Sequence, residues 1–206
     1  MLVKRGVVPI PFIGTGDFDS MEAGRYNGGM ATTHTTIRAD VGGASAKALG
    51  RITLQTLREM KTRREPIAML TAYDYPTAKV LAASGVNAIL VGDSVATTVL
   101  GADSTVKATF DFLLVLTEAV RRGAPDLFLM ADMPFGSYPD VPTAVTNAAR
   151  FMREAGADCV KMECDIRHRE IVAALSAAGV AVCAHVGLLP QRAFQLQGGY
   201  LAQGRT

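Results

Sequence analysis

From residue 51 onward the chain alternates between two hydrophobic rhythms. The stretch "ITLQTLREMKTRRE" places Ile52, Leu54, Leu57 and Met60 on roughly one side of a helix. "PIAMLTAYDY" follows as a strand, Pro66 to Tyr73, that ends in polar residues. "PTAKVLAASG" then reads as a helix with Pro76 in its first turn and Gly85 at its stop. The pattern repeats. "VNAILVGDS" is a strand, and "TFDFLLVLTEAVRRGA" is a helix with Thr109 as N-cap and Gly123 as its end. "DLFLMADMPF" is a strand, and "PTAVTNAARFMREAGA" is a helix closed by Gly156. "DCVKMEC" is a strand, "IRHREIVAALSAAG" a helix ended by Gly179, and "VAVCAHVGL" a fifth strand.

Strict alternation of near-continuous apolar strands with amphipathic helices predicts a parallel sheet covered by helices. Two architectures satisfy that pattern, a doubly wound open sheet and a closed barrel. No G-x-G-x-x-G follows the first strand, which removes support from the dinucleotide-binding version. Polar residues stand at the carboxyl end of strand after strand: Asp74, Asp93, Asp132, Glu163 and His185. In a barrel all of these ends face one mouth, whereas in an open sheet only those at the switch point meet. The expectation is therefore an α/β fold of the (β/α)8 TIM-barrel type, with about five of the eight β-α units present; a complete barrel takes about 250 residues.

Residues 1–50 break the rhythm. They are rich in Gly, Thr and small polar residues, as in "GTGDFDSMEAGRYNGGMATTHTT", and are expected to form a flexible extension to a barrel domain over 51–206. No run approaches the roughly 18 apolar residues of a membrane span, and the start lacks the apolar core of a secretory signal, so no membrane partner is expected. The net charge of +2 and the scattered basic residues argue against nucleic acid. The tightest basic groups, Lys61, Arg63 and Arg64 and the pair Arg121 and Arg122, fall at helix ends, where they suit the helix dipole. Cys159, Cys164 and Cys183 form no C-x-x-C and read as reduced thiols of a cytoplasmic protein.

Asp93, Asp132 and Glu163 end the second, third and fourth strands. Neighbouring strands lie about 4.8 Å apart, so three carboxylates at these ends can converge. Crowded anions are costly unless a cation relieves them, and an all-oxygen set suits Mg²⁺. Lys161 shares a strand face with Glu163 and reads either as a contact for an anionic substrate or as a neutralising partner of Glu163. Ser94 reads as a ligand donor or a turn cap, Tyr73 as pocket lining or core, and His185 as pocket lining or a structural ring.

Eight segments, "MLTAYDYPTAK", "ILVGDS", "STVKATFDF", "AVRRGAP", "ADMPFGSY", "NAARFMREAGADCVKME", "AHVGLLPQ" and "GGYLAQGR", resemble the ketopantoate (3-methyl-2-oxobutanoate) hydroxymethyltransferase family in order and spacing. The resemblance covers residues 52–205. It implies a (β/α)8 barrel assembled as a homodecamer in pantothenate synthesis. It also implies transfer of a hydroxymethyl group from 5,10-methylenetetrahydrofolate to 3-methyl-2-oxobutanoate through a Mg²⁺-stabilised enolate. The family's metal acids fall on Asp93, Asp132 and Glu163, and its keto-acid contacts on Asp93, Ser94, Asp132 and Lys161. Its general base, a glutamate at the end of a sixth strand, would lie beyond Thr206, so the resemblance implies a chain truncated after the fifth strand.

Some positions depart from the family pattern. Ala96 replaces a glycine of the usual "GDSLGM". Cys164 and Asp165 replace the Gly-Gly after the metal glutamate. Ala184 replaces the glycine before the fifth-strand histidine, and Leu201 stands for the lysine of "GGYKVQGR". Added Cβ atoms where the backbone approaches a ligand leave two further readings open. One is a catalytically impaired homologue that binds metal and keto acid; the other is a related Mg²⁺-dependent 2-oxo-acid lyase.

Overall fold

The computed structural model describes residues 50–195. The expected extension over residues 1–50 and the departure at Leu201 fall almost wholly outside these residues. Five parallel strands, β1 (Met69–Thr71), β2 (Ala88–Val91), β3 (Phe128–Asp132), β4 (Cys159–Glu163) and β5 (Val182–His185), form one sheet. Their spatial order is their chain order. That order separates the two architectures left by the sequence, because a doubly wound sheet reverses direction at a switch point and this one does not. The chain has the α/β architecture of consecutive units of a (β/α)8 barrel.

Among the described residues, six α-helices accompany the strands: α1 (Leu54–Thr62), α2 (Tyr75–Ala83), α3 (Val95–Thr98), α4 (Phe110–Gly123), α5 (Val141–Arg153) and α6 (Arg169–Ala177). The N-cap expected at Thr109 is present, its side chain accepting from the Phe112 amide. Asp140 caps α5 in the same way, with Pro142 in the first turn. Asp74 caps α2, accepting from the Thr77 amide at 2.7 Å, so this strand-end acid serves the helix and not the mouth. Gly85, Gly156 and Gly179 end helices with φ of +83°, +70° and +83°, the left-handed turn that side chains resist.

Three local expectations change. A short helix, α3, follows Ser94 where the sequence suggested only loop. The segment after β4 opens as a 3-10 turn over Ile166–His168, capped by Asp165, before α6 begins. Gly123 lies inside α4 and is needed for proximity: a Cβ there would stand 2.5 Å from the Tyr75 carbonyl oxygen and 2.8 Å from the Ala78 Cβ. It lets α4 lie against α2.

The core is densest at the middle strands. Every residue of β3 is buried, as are Val160, Met162 and Phe151 beside it, while Leu70 and Thr71 of β1 are exposed. Near the amino ends of the strands, Arg121 does more than suit a dipole. Its guanidinium donates to the carbonyls of Ala124, Pro125, Leu127 and Gly156 and reaches Asp158 at 2.5 Å. Asp158 in turn accepts from the Leu129 amide and from Arg51. One partly buried cation thus ties the end of α4 to the starts of β3 and β4.

The Gly123→Ala substitution is expected to destabilise the chain by about 1–3 kcal/mol, because backbone must move to admit the methyl group. Thermal unfolding followed by circular dichroism checks this; an unchanged midpoint would contradict the tight α2–α4 approach.

Candidate functional site

The sheet register sets the site in layers. Asp132 on β3 pairs with Lys161 on β4, and Lys161 with Cys183 on β5. Glu163 and His185 pair one layer further toward the carboxyl ends. Asp93 follows β2, and its amide donates to Asp132 Oδ2 at 3.1 Å. This approach needs Gly92, where a Cβ would lie 2.8 Å from Ser94 Oγ and 3.3 Å from Asp132 Oδ2. The three acids are 6%, 3% and 2% exposed. All are brought to the one end of the sheet where the sequence reading placed them.

Each carboxylate has nitrogen donors around it. Lys161 Nζ lies 2.5 Å from Asp132 Oδ1, so its acidic partner is Asp132, and the alternative reading of a neutralising pair with Glu163 is replaced by one with Asp132. Gln191, 2% exposed, stands between the other two acids. Its amide hydrogen is shared by both oxygens of Glu163, each 3.1 Å from the nitrogen. Its side-chain nitrogen donates to Asp93 Oδ2 at 2.8 Å and to the Met133 carbonyl at 3.0 Å. The Tyr138 hydroxyl completes the set by donating to Gln191 Oε1 at 2.6 Å.

Ser94 makes no side-chain cap bond to α3, which removes the turn-cap reading; its hydroxyl pairs with the Tyr73 hydroxyl at 2.7 Å. Tyr73 therefore joins the rim through Ser94. His185 is partly buried, and its Nδ1 has no hydrogen-bond partner among the described residues. Ala96 is fully buried in α3. Beside β4, Cys164 is buried and Asp165 is drawn into a cluster with Arg167, His168 and Arg192, the Arg192 contact at 2.6 Å. Cys159, Cys164 and Cys183 are free thiols, and burial pushes Cys164 up to about 12.

The electrostatics follow from burial. Removal from water, then the neighbouring Asp132 charge, pushes the Asp93 carboxyl up to about 6. Burial pushes Glu163 up to about 7 against the donation from Gln191. Burial alone would pull Lys161 down, yet Asp132, Asp93 and Glu163 together hold it above its ordinary value. Three buried acids thus face the partly buried Lys161 ammonium. Among the described residues no three acid, histidine or cysteine side chains enclose an ion by themselves. The acids are joined through Lys161 and Gln191. Their chemistry, hard oxygen donors with surplus negative charge, fits Mg²⁺, a cation that keeps several of its waters.

Sequence reasoning missed Gln191 and Tyr138. Gln191 lies in the "AHVGLLPQ" segment, but a neutral amide advertises neither charge nor metal affinity, and its role depends on a turn that folds back over two strands.

A sequence model of the family described as ketopantoate hydroxymethyltransferase matches residues 51–206. The 3-methyl-2-oxobutanoate hydroxymethyltransferase of Thermus thermophilus is 50% identical over 155 residues, 75% of this chain and 58% of that protein. That of Nitrosococcus oceani is 47% identical over 157 residues, covering 76% and 59%. That of Geobacillus thermodenitrificans is 50% identical over 147 residues, covering 71% and 52%. The chain thus spans 52–59% of the length of these relatives. Among solved structures, phosphonopyruvate hydrolase in complex with oxalate and Mg²⁺ superposes with a TM-score of 0.55 at 17% identity, covering 63% of this chain and 50% of that one. The 2,3-dimethylmalate lyase of the PEP mutase/isocitrate lyase superfamily gives 0.50 at 20% identity, covering 63% and 52%. At these identities the likeness is one of fold.

The raised Glu163 carboxyl has a measurable consequence. Folded chain holds its proton more tightly than unfolded chain does. The stability it contributes is complete below about pH 4.5 and is lost as pH rises through about 7. With divalent cations chelated, Glu163→Gln is expected to gain on the native chain by roughly 2–3 kcal/mol between pH 5 and pH 8. Paired thermal melts across that range check it; a constant difference would contradict the buried, proton-holding carboxyl.

Proposed function

Because the chain belongs to the ketopantoate hydroxymethyltransferase family, we propose that it carries the metal and keto-acid half of a site that transfers a hydroxymethyl group to 3-methyl-2-oxobutanoate, giving 2-dehydropantoate. The observation that carries this reading is the set of three buried acids facing the partly buried Lys161 ammonium at the carboxyl ends of β2, β3 and β4. The donor in this reading is 5,10-methylenetetrahydrofolate. A homo-oligomeric assembly, a cytoplasmic location and a place in pantothenate synthesis belong to the same reading. Among the described residues no helix is long and apolar enough to cross a membrane.

Asp93, Asp132 and Glu163 would hold Mg²⁺, in part through its waters. When bound, the ion supplies Lewis-acid polarisation of a 2-oxo acid and a template for its oxygens. The residues of the chain provide the rest. Lys161, whose charge Asp132 keeps in place, offers an ammonium to the substrate carboxylate. Asp93 presents its carboxylate in a fixed direction because its own amide is anchored on Asp132 and its Oδ2 on Gln191. The paired hydroxyls of Ser94 and Tyr73 can turn one proton toward a substrate oxygen. Burial of all three acids keeps bulk water from competing at the reacting carbon. No described residue is assigned as the acceptor of the C3 proton in this reading.

A specific observation favours the non-catalytic homologue as second reading: the family's Gly-Gly after the metal acid is here a buried Cys164 and an Asp165 engaged with Arg192. Nothing on the described surface favours the lyase reading over the transferase.

In D₂O with Mg²⁺, the chain is expected to exchange the C3 proton of 3-methyl-2-oxobutanoate only slowly, since a missing general base costs about 10²- to 10⁴-fold, and chelation is expected to abolish the exchange. Asp132→Asn should slow it by about 100-fold or more. Proton NMR measures the rate, and calorimetry measures binding in parallel. Mg²⁺-dependent binding without exchange selects the non-catalytic homologue; neither binding nor exchange overturns both readings.

A further inference from the structure

Gln191 is a neutral residue that reaches the acidic centre from outside the strands that build it. Proline at 190 opens the 3-10 turn Pro190–Gln195, and Gln191 points from that turn between Asp93 and Glu163. Its orientation is over-determined. Met133 offers only an acceptor, so the side-chain nitrogen must face Met133 and Asp93, and the oxygen must face the Tyr138 hydroxyl. Every donor of the residue is used.

A buried amide so placed costs free energy unless each bond is made, and here each is made. The result is a neutral strut. It fixes the plane of the Asp93 carboxylate and the reach of Glu163 without cancelling either charge, so their negative charge stays available.

The turn itself is pinned from the side. Arg192 Nη1 reaches Asp165 Oδ2 at 2.6 Å, and Arg192 Nη2 lies 3.3 Å from His168 Nε2. His168 is bonded through Nδ1 to the Asp165 amide at 3.1 Å. Asp165, one of the departures from the family pattern, therefore anchors the turn that delivers Gln191.

Resting on the metal reading above, we propose that Gln191 is a positioning residue of the acidic site. It holds Asp93 and Glu163 in the arrangement that receives a divalent cation, and the Asp165–Arg192 pair holds Gln191. The residue contacts the ligands and not the reacting atoms, in the manner of the outer partners that orient metal-binding side chains.

Mn²⁺ serves as the probe, its affinity read by calorimetry and its environment by electron paramagnetic resonance. Gln191→Leu, which keeps the volume and the backbone amide facing Glu163 but loses the side-chain donors to Asp93 and Met133, is expected to weaken Mn²⁺ binding at least about 10-fold and to broaden the bound spectrum. Arg192→Ala, which frees the turn from Asp165 without touching Asp93, Asp132 or Glu163, should act in the same direction by about threefold, and it serves alone if Gln191→Leu does not fold. A native chain that binds Mn²⁺ no better than its folded variants, with the same spectrum, overturns the positioning role alone. A native chain that binds no Mn²⁺ overturns the metal reading and this role together.

Discussion

Buried negative charge is the constraint around which the carboxyl end of this sheet is built. Three carboxylates almost out of contact with water cannot stand together unless something positive or hydrogen-donating faces each of them. Lys161 answers Asp132, the Asp93 amide answers its other oxygen, and Gln191 answers Asp93 and Glu163. The glycine at 92 and the rim turn carrying Gln191 are consequences of that demand, since both bring donors to within reach of an acid. The surplus charge left after these bonds is what the proposed divalent cation would balance.

Much of this was legible in the chain. Alternating apolar strands and amphipathic helices gave the parallel sheet, and acids ending β2, β3 and β4 gave the mouth, because periodicity and strand ends are local properties. Asp93, Asp132 and Lys161 stand together at one end of the sheet, and Glu163 is linked to Asp93 through Gln191. What escaped depended on contacts between distant segments. Lys161 chooses Asp132 over Glu163 because register pairs it across to β3, whereas Glu163 lies two residues further along its own strand. Asp74 looked like its fellow acids, yet the helix that follows claims it as a cap. Gln191 carries no charge to betray it.

The two ends of the sheet divide the labour. At the amino ends Arg121 and Asp158 join carbonyls and amides of α4, β3 and β4 in a network that touches no candidate chemistry. At the carboxyl ends the polar residues face one another across the mouth. Side chains on the two ends of barrel strands commonly separate into structural and reactive sets in this way. The departures from the family pattern keep to the division. Cys164 packs inward, and Asp165 reaches sideways to Arg192, so the replaced glycines alter the frame of the mouth while the acids themselves keep their places.

The agreement of spatial order with chain order bears on how such a molecule comes into being. Each strand lies beside the one synthesised just before it, so a growing polypeptide leaving the ribosome always finds its docking edge already formed. Asp93 exists as a lone acid until β3 arrives with Asp132, and the repulsion between them is met only when β4 delivers Lys161. Assembly of the reactive mouth is thus vectorial, and its neutralising ammonium comes after the charge it must balance.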